Sequence, residues 1–125
     1  MDAAIETAED GDTIELLKDV ESAGQITLPE GVTLDGNGKS ISLTDKIEQG
    51  AFIETSSANV TIKDVIINTN GNAKHGVQFY CANDGKLENV TVNGGFYTSV
   101  IVNGATVAIE TVSYTHLKRS HRLAC

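Results

Sequence analysis

The sequence predicts an all-β fold, a right-handed single-stranded parallel β-helix (solenoid) of about four coils, closed at its start by a short capping α-helix. Three observations lead there: a strand-type motif that recurs every 22–28 residues, strict alternation of apolar and polar residues within each copy, and a composition suited to short strands and tight turns. The motif Val60-Thr-Ile-Lys-Asp-Val-Ile-Ile-Asn68 returns as Lys86-Leu-Glu-Asn-Val-Thr-Val-Asn93, with Ile62 on Leu87 at an offset of 25. Thr106-Val-Ala-Ile-Glu-Thr-Val112 follows 22 residues later, and Val32-Thr-Leu-Asp-Gly36 precedes Ile62's copy by 28. Helical solenoids need repeats of roughly 30 or more residues to hold a helix pair, so units this short suit three strands per coil.

In each copy two alternating strands flank a polar two-residue corner, Lys63-Asp64 or Glu88-Asn89, and the second strand ends at Asn68 or Asn93. Alternation sends every second side chain to one face. Further short strands over 25–28, 51–53, 76–79 and 99–102 complete the third side of each coil. The coils are placed at about 13–34, 40–62, 65–87 and 90–109. One interior column is expected from Ile14, Leu16, Ile41, Leu43, Val65, Ile67, Val90 and Val92. A second takes Ile26, Leu28, Ile53, Val77, Phe79, Val100 and Val102, and a third takes Val32, Leu34, Val60, Ile62, Leu87, Val107 and Ile109. Asn68 and Asn93 fall at equivalent corners, where stacked amides form a ladder along the axis.

The first coil needs a cover, because an open strand edge invites pairing with another chain. Residues 2–9, Asp-Ala-Ala-Ile-Glu-Thr-Ala-Glu, supply good helix formers with an acidic start and Ile5 and Ala8 on one face, and Gly11 ends the segment. They are read as the cap helix.

Valine, isoleucine, threonine, asparagine and glycine recur, with no tryptophan and only Pro29 as proline. Such a mixture favours pleated strands joined by Gly/Asn turns. The formal charge is −8, but residues 1–117 hold six basic and seventeen acidic residues and stand at −11. An acidic body of that kind repels nucleic-acid backbones and anionic membrane surfaces, so no nucleic-acid partner is expected. No apolar run is long enough to span a bilayer, so no membrane insertion is expected either. No leader precedes Asp2, so either the protein is cytoplasmic or its leader lies outside this stretch. Cys81 and Cys125 lack the spacing of a metal pair. Cys81, alternating with Val77 and Phe79, reads as a small buried hydrophobe out of reach of Cys125.

The stretches Ala3-Ala-Ile5, Gly11-Asp-Thr-Ile-Glu-Leu16 and Gly31-Val-Thr-Leu-Asp-Gly-Asn-Gly-Lys-Ser-Ile41 resemble the opening coils of the pectate-lyase-like right-handed β-helix superfamily, in versions found in large bacterial surface proteins. The resemblance covers residues 3–43, with looser coil similarity to about 112. It implies a secreted or cell-surface parent of which this chain is an N-terminal fragment, and it carries no single activity, since fold does not fix function.

From Val112 the pattern breaks. The string Val112-Ser-Tyr-Thr-His-Leu117 is what the codons GTC TCT TAT ACA CAT CT encode, which resembles the transposon end of sequencing-library adapters. Residues 112–125 are therefore expected to be a non-native tail, whose deletion changes stability little and which leaves the C-terminal edge open to self-association.

Sugar-cleaving β-helices work with carboxylates and a basic residue on one outer face. Lys63, Asp64, Glu88, Asn89 and Glu110 occupy equivalent corners here, but no row sets two aspartates beside an Arg or Lys, so the corners read as structural and no catalytic residue is assigned. His75 reads as a surface loop residue, and His116 and His121 fall in the tail. Asp35-Gly-Asn-Gly38 resembles half of a calcium loop without its distal Glu and reads as a turn. No metal or cofactor is therefore expected, calcium belonging at most to the parent protein. Tyr80, Phe96 and Tyr97 are the candidate carbohydrate contacts, because aromatic faces pack on the apolar faces of sugar rings. The expected function is a non-catalytic extracellular module, a stalk or a surface contacting polysaccharide or cell-surface glycan. The alternative is the N-terminal piece of a polysaccharide lyase or glycoside hydrolase whose active coils are missing.

Overall fold

The computed structural model describes residue 5, residues 7–114 and, by backbone alone, residues 117–120. Among the described residues twelve strands pair in parallel throughout: β1 (Thr13–Glu15), β2 (Val20–Ser22), β3 (Ile26–Thr27), β4 (Thr33–Asp35), β5 (Ser40–Leu43), β6 (Ala51–Thr55), β7 (Thr61–Asn68), β8 (His75–Tyr80), β9 (Gly85–Asn93), β10 (Thr98–Asn103), β11 (Val107–Tyr114) and β12 (Leu117–Ser120). They wind into an all-β parallel solenoid of about four turns. Each strand pairs with the strand one coil away, which is the pattern the 22–28-residue offsets require.

Three faces surround the core, but they count as two sheets. One sheet runs β12-β10-β8-β6-β3. The other two faces merge, because β7 and β9 pass through their corner as single long strands: Thr61–Lys63 continues β4, while Ile66–Asn68 continues β5. The corner is one residue wide. Asp64, Asn89 and Thr111 stack at it with φ of 51–52°. Asp and Asn visit this left-handed region readily, whereas a β-branched residue is strained there. We expect Thr111→Asn to stabilise the protein by about 0.5–1 kcal/mol by relieving that strain, read as an increase in the urea midpoint without a change in slope.

The central column is Leu34, Ile62, Leu87 and Ile109, paired directly in register, and its first three members are wholly buried. The second expected column also holds: Ile26 pairs with Ile53, Ile53 with Val77, Val77 with Val100 and Phe79 with Val102. The first column needs correction in coil one. Ile14 pairs with Leu34 and so heads the Leu34–Ile62 column, while the partners of Ile41 and Leu43 are Val20 and Ser22. Ser22 hid this strand. It fills an inward position with a hydroxyl, which is buried because its Oγ donates to the Gly24 carbonyl at 2.8 Å.

At the N-terminal end Ile5 and Thr7 are helical, and Ile5 and Ala8 pack against the core, as a cap requires. The readings placed on residues 1–4, 6, 115–116 and 121–125 lie outside the described residues. Past Val112 the chain keeps to the coil path: Val112, Ser113 and Tyr114 pair with Val90, Thr91 and Val92, and β12 pairs with β10.

Cys81 departs from its sequence reading. Strand β8 ends at Tyr80, and Cys81 turns with φ 51°, half-buried and disulfide-bonded. The left-handed residue breaks the alternation from which an inward thiol was expected. The chain's other cysteine, Cys125, lies outside the described residues.

Candidate functional site

The polar corners bond to one another along the axis. Asn93 Nδ2 donates to Asn68 Oδ1 at 2.9 Å, and Asn68 Nδ2 donates to Ser42 Oγ at 3.2 Å, so the expected two-residue ladder has a third rung. One face over, Asn89 Nδ2 donates to Asp64 Oδ1 at 2.9 Å. Lys63 stands in register with Glu88 and Glu88 with Glu110, but Lys63 pairs elsewhere and Lys86 takes both glutamates. Lys63 Nζ meets Asp35 at 4.0 Å, and Lys86 Nζ meets Glu88 at 3.4 Å and Glu110 at 3.9 Å. These exposed ion pairs contribute little stability.

The Asp35–Gly38 segment is a turn. Asp35 Oδ1 accepts the Asn37 amide at 2.9 Å, and Asn37 and Gly38 both have positive φ. Among the described residues no group of three or more His, Cys, Asp or Glu side chains could hold a metal ion.

A different arrangement forms on the loop between β9 and β10. Gly94 and Gly95 have φ of 99° and 84°, and a Cβ on Gly95 would lie 2.0 Å from the Thr98 carbonyl oxygen, so only glycine fits this bend. The loop then lies along the preceding coil. Gly95 N donates to Thr69 Oγ1 at 2.9 Å, Phe96 N to the Ala73 carbonyl at 3.3 Å, and Tyr97 N to the Lys74 carbonyl at 2.8 Å. From β10, Ser99 Oγ donates to the Gly94 carbonyl at 2.8 Å. His75 Nδ1 is hydrogen-bonded to Thr98 Oγ1.

This backbone holds Phe96 and Tyr97 outward, 53% and 63% exposed. Their centroids are 5.2 Å apart at an interplanar angle of 79°, an edge-to-face pair. Lys74 Nζ sits 5.6 Å from the Tyr97 centroid, within cation–π range, and the His75 ring is 6.2 Å from it. Residues 65–83 and 89–109, which build this region, contain no carboxylate side chain, in a chain that has seventeen.

Of the three aromatic candidates, the structure brings together Phe96 and Tyr97 but not Tyr80. Tyr80 ends β8 opposite Asn103, whereas the pair lies beside His75 at the start of that strand. Five strand residues separate the two, about 16 Å at roughly 3.3 Å per residue. Sequence reasoning passed over Lys74 and took His75 for a surface loop residue, whereas it is the half-buried first residue of β8. The signal was present, since the repeat offset that lays Val77 on Val100 also lays His75 on Thr98, next to Tyr97.

An open cleft lies at the N-terminal end, lined by Thr7, Ala8, Asp12, Thr13, Ile14 and Glu15. Among the described residues no helix is long and apolar enough to cross a membrane.

No family model, curated protein or solved structure matches the chain, so its functional reading rests on its own geometry.

Proposed function

We propose that this chain is a non-catalytic module of a larger bacterial surface protein, in which the solenoid serves as a stalk and the Phe96–Tyr97 pair contacts glycan. The observation that carries the reading is that pair: two adjacent aromatic rings, each more than half exposed, on a loop pinned by hydrogen bonds to the coil beneath. Exposed rings with fixed geometry lose little entropy on binding and offer apolar faces to the C–H face of a pyranose. Lys74 and His75 supply polar groups at the edge, where sugar hydroxyls would sit. The corner polar groups support the stalk role, because they bond to each other along the axis and not around a cleft. The disulfide at Cys81 supports a secreted or cell-surface location, where such bonds persist.

A glycan array probed with the purified chain, followed by calorimetric titration of any hit, tests this. Phe96→Ala and Tyr97→Ala should each weaken binding at least tenfold while leaving the unfolding free energy in urea within about 0.5 kcal/mol of the parent, as befits surface substitutions. Binding that survives the double substitution would sink the assignment.

A further inference from the structure

We propose that Thr69 is the positioning residue of the aromatic pair, its buried hydroxyl setting the bend that presents Phe96 and Tyr97; the inference rests on the reading of that pair as the glycan contact. One step beyond the paired residues Ser42, Asn68 and Asn93 stand Leu43, Thr69 and Gly94. Leu43 is wholly buried, as an inward apolar residue should be, and Thr69 is equally buried but carries a hydroxyl. A hydroxyl kept from water in such a column needs hydrogen-bond partners to offset its desolvation. Both of its partners belong to the loop of the next coil.

Thr69 Oγ1 donates to the Asn93 carbonyl at 3.4 Å and accepts the Gly95 amide at 2.9 Å, so its one donor and an acceptor lone pair clamp the two sides of Gly94. The Thr69 amide adds a bond to the same Asn93 carbonyl at 3.0 Å. A Cβ on Gly94 would lie 2.1 Å from Thr69 Oγ1, so the glycine leaves the hydroxyl its room. The bend is built around that oxygen. Phe96 follows it directly, and because both rings are more than half exposed, the backbone beneath sets their orientation. The amides of Phe96 and Tyr97 bond to the preceding coil further along the loop, whereas Thr69 ties the bend itself to that coil. Valine at this position keeps the shape and the burial but offers neither donor nor acceptor. The Gly95 amide must then turn to water, and the bend moves with it. Rings that are no longer held in place have more freedom to lose on binding.

Amide exchange and ring-to-ring Overhauser contacts in the full chain decide the matter with no ligand present. In Thr69→Val the Gly95 amide should exchange at least tenfold faster and the Phe96–Tyr97 Overhauser contacts should fall at least twofold, while the Ile62 and Leu87 amides change less than threefold. Thr69→Ser, which keeps the hydroxyl, should stay within threefold of the parent at all three amides. Thr69→Ala replaces the valine variant if that variant loses the parent's far-ultraviolet circular dichroism. On the glycan array Thr69→Val should lose at least fivefold of the parent's signal and Thr69→Ser less than twofold. A folded Thr69→Val chain with unchanged Gly95 exchange and ring contacts overturns the proposal. So does exchange that rises equally at Gly95, Ile62 and Leu87, which would make Thr69 a residue of general stability. An array blank for parent and variants alike would sink the glycan reading, and the exchange and ring contacts would still decide what Thr69 does.

Discussion

Phe79→Ala should destabilise the protein by about 3–5 kcal/mol, the range for emptying a well-packed aromatic site. Phe79 is wholly buried and sits where the interior would otherwise have a gap. The inward positions one residue before Thr33, Thr61, Lys86 and Ala108, which pair across the coils, are Val32, Val60, Gly85 and Val107. Glycine interrupts the valines because the Phe79 ring occupies the missing side-chain volume: a Cβ on Gly85 would lie 2.6 Å from the ring. Gly85→Val should therefore cost about 1–3 kcal/mol by overpacking. In the Phe79→Ala background the same substitution fills vacated space and should recover part of the loss. A double-mutant cycle in urea, with a coupling of roughly 0.5–3 kcal/mol, would register this. Additive effects would mean that the ring and the glycine do not share one space.

Truncation after Thr111 should lower stability by about 1–3 kcal/mol, through the lost pairing of β12 and of the end of β11. The sequence alone leads to the opposite expectation, a tail that can be deleted freely. In the structure Val112–Tyr114 extend β9's ladder, and β12 covers β10, whose Val100 and Val102 would otherwise line a new edge. A truncated chain as stable as the parent would show residues 112–125 to be a passenger.

Alternation was legible wherever the inward residues are apolar, and the Ile62–Leu87–Ile109 column follows from spacing alone. Parity tells which side of a strand faces in, but not which wall of the solenoid the strand belongs to. That is why Ile14 fell in the wrong column once Ser22, a satisfied buried hydroxyl, masked β2. Cys81 shows a second limit, because one left-handed residue resets the parity and no local pattern announces it. For the aromatic site the sequence supplied Phe96 and Tyr97 as neighbours. Grouping Tyr80 with them ignored position along the strand, and Lys74 and His75 join them only because the coils stack.

The single-residue corner at Asp64, Asn89 and Thr111 has a further consequence. Three successive coils turn there through the same backbone conformation, so that corner is copied from coil to coil as the coils stack. Growth is confined to one dimension, at about 4.8 Å per coil, and the number of repeats becomes a ruler. Some 22–28 residues are spent on each such step, where an extended chain of the same length would reach roughly fifteen to twenty times further. What the polymer gives up in reach it regains as resistance to bending, because flexing the rod would have to stretch ladders on three walls at once.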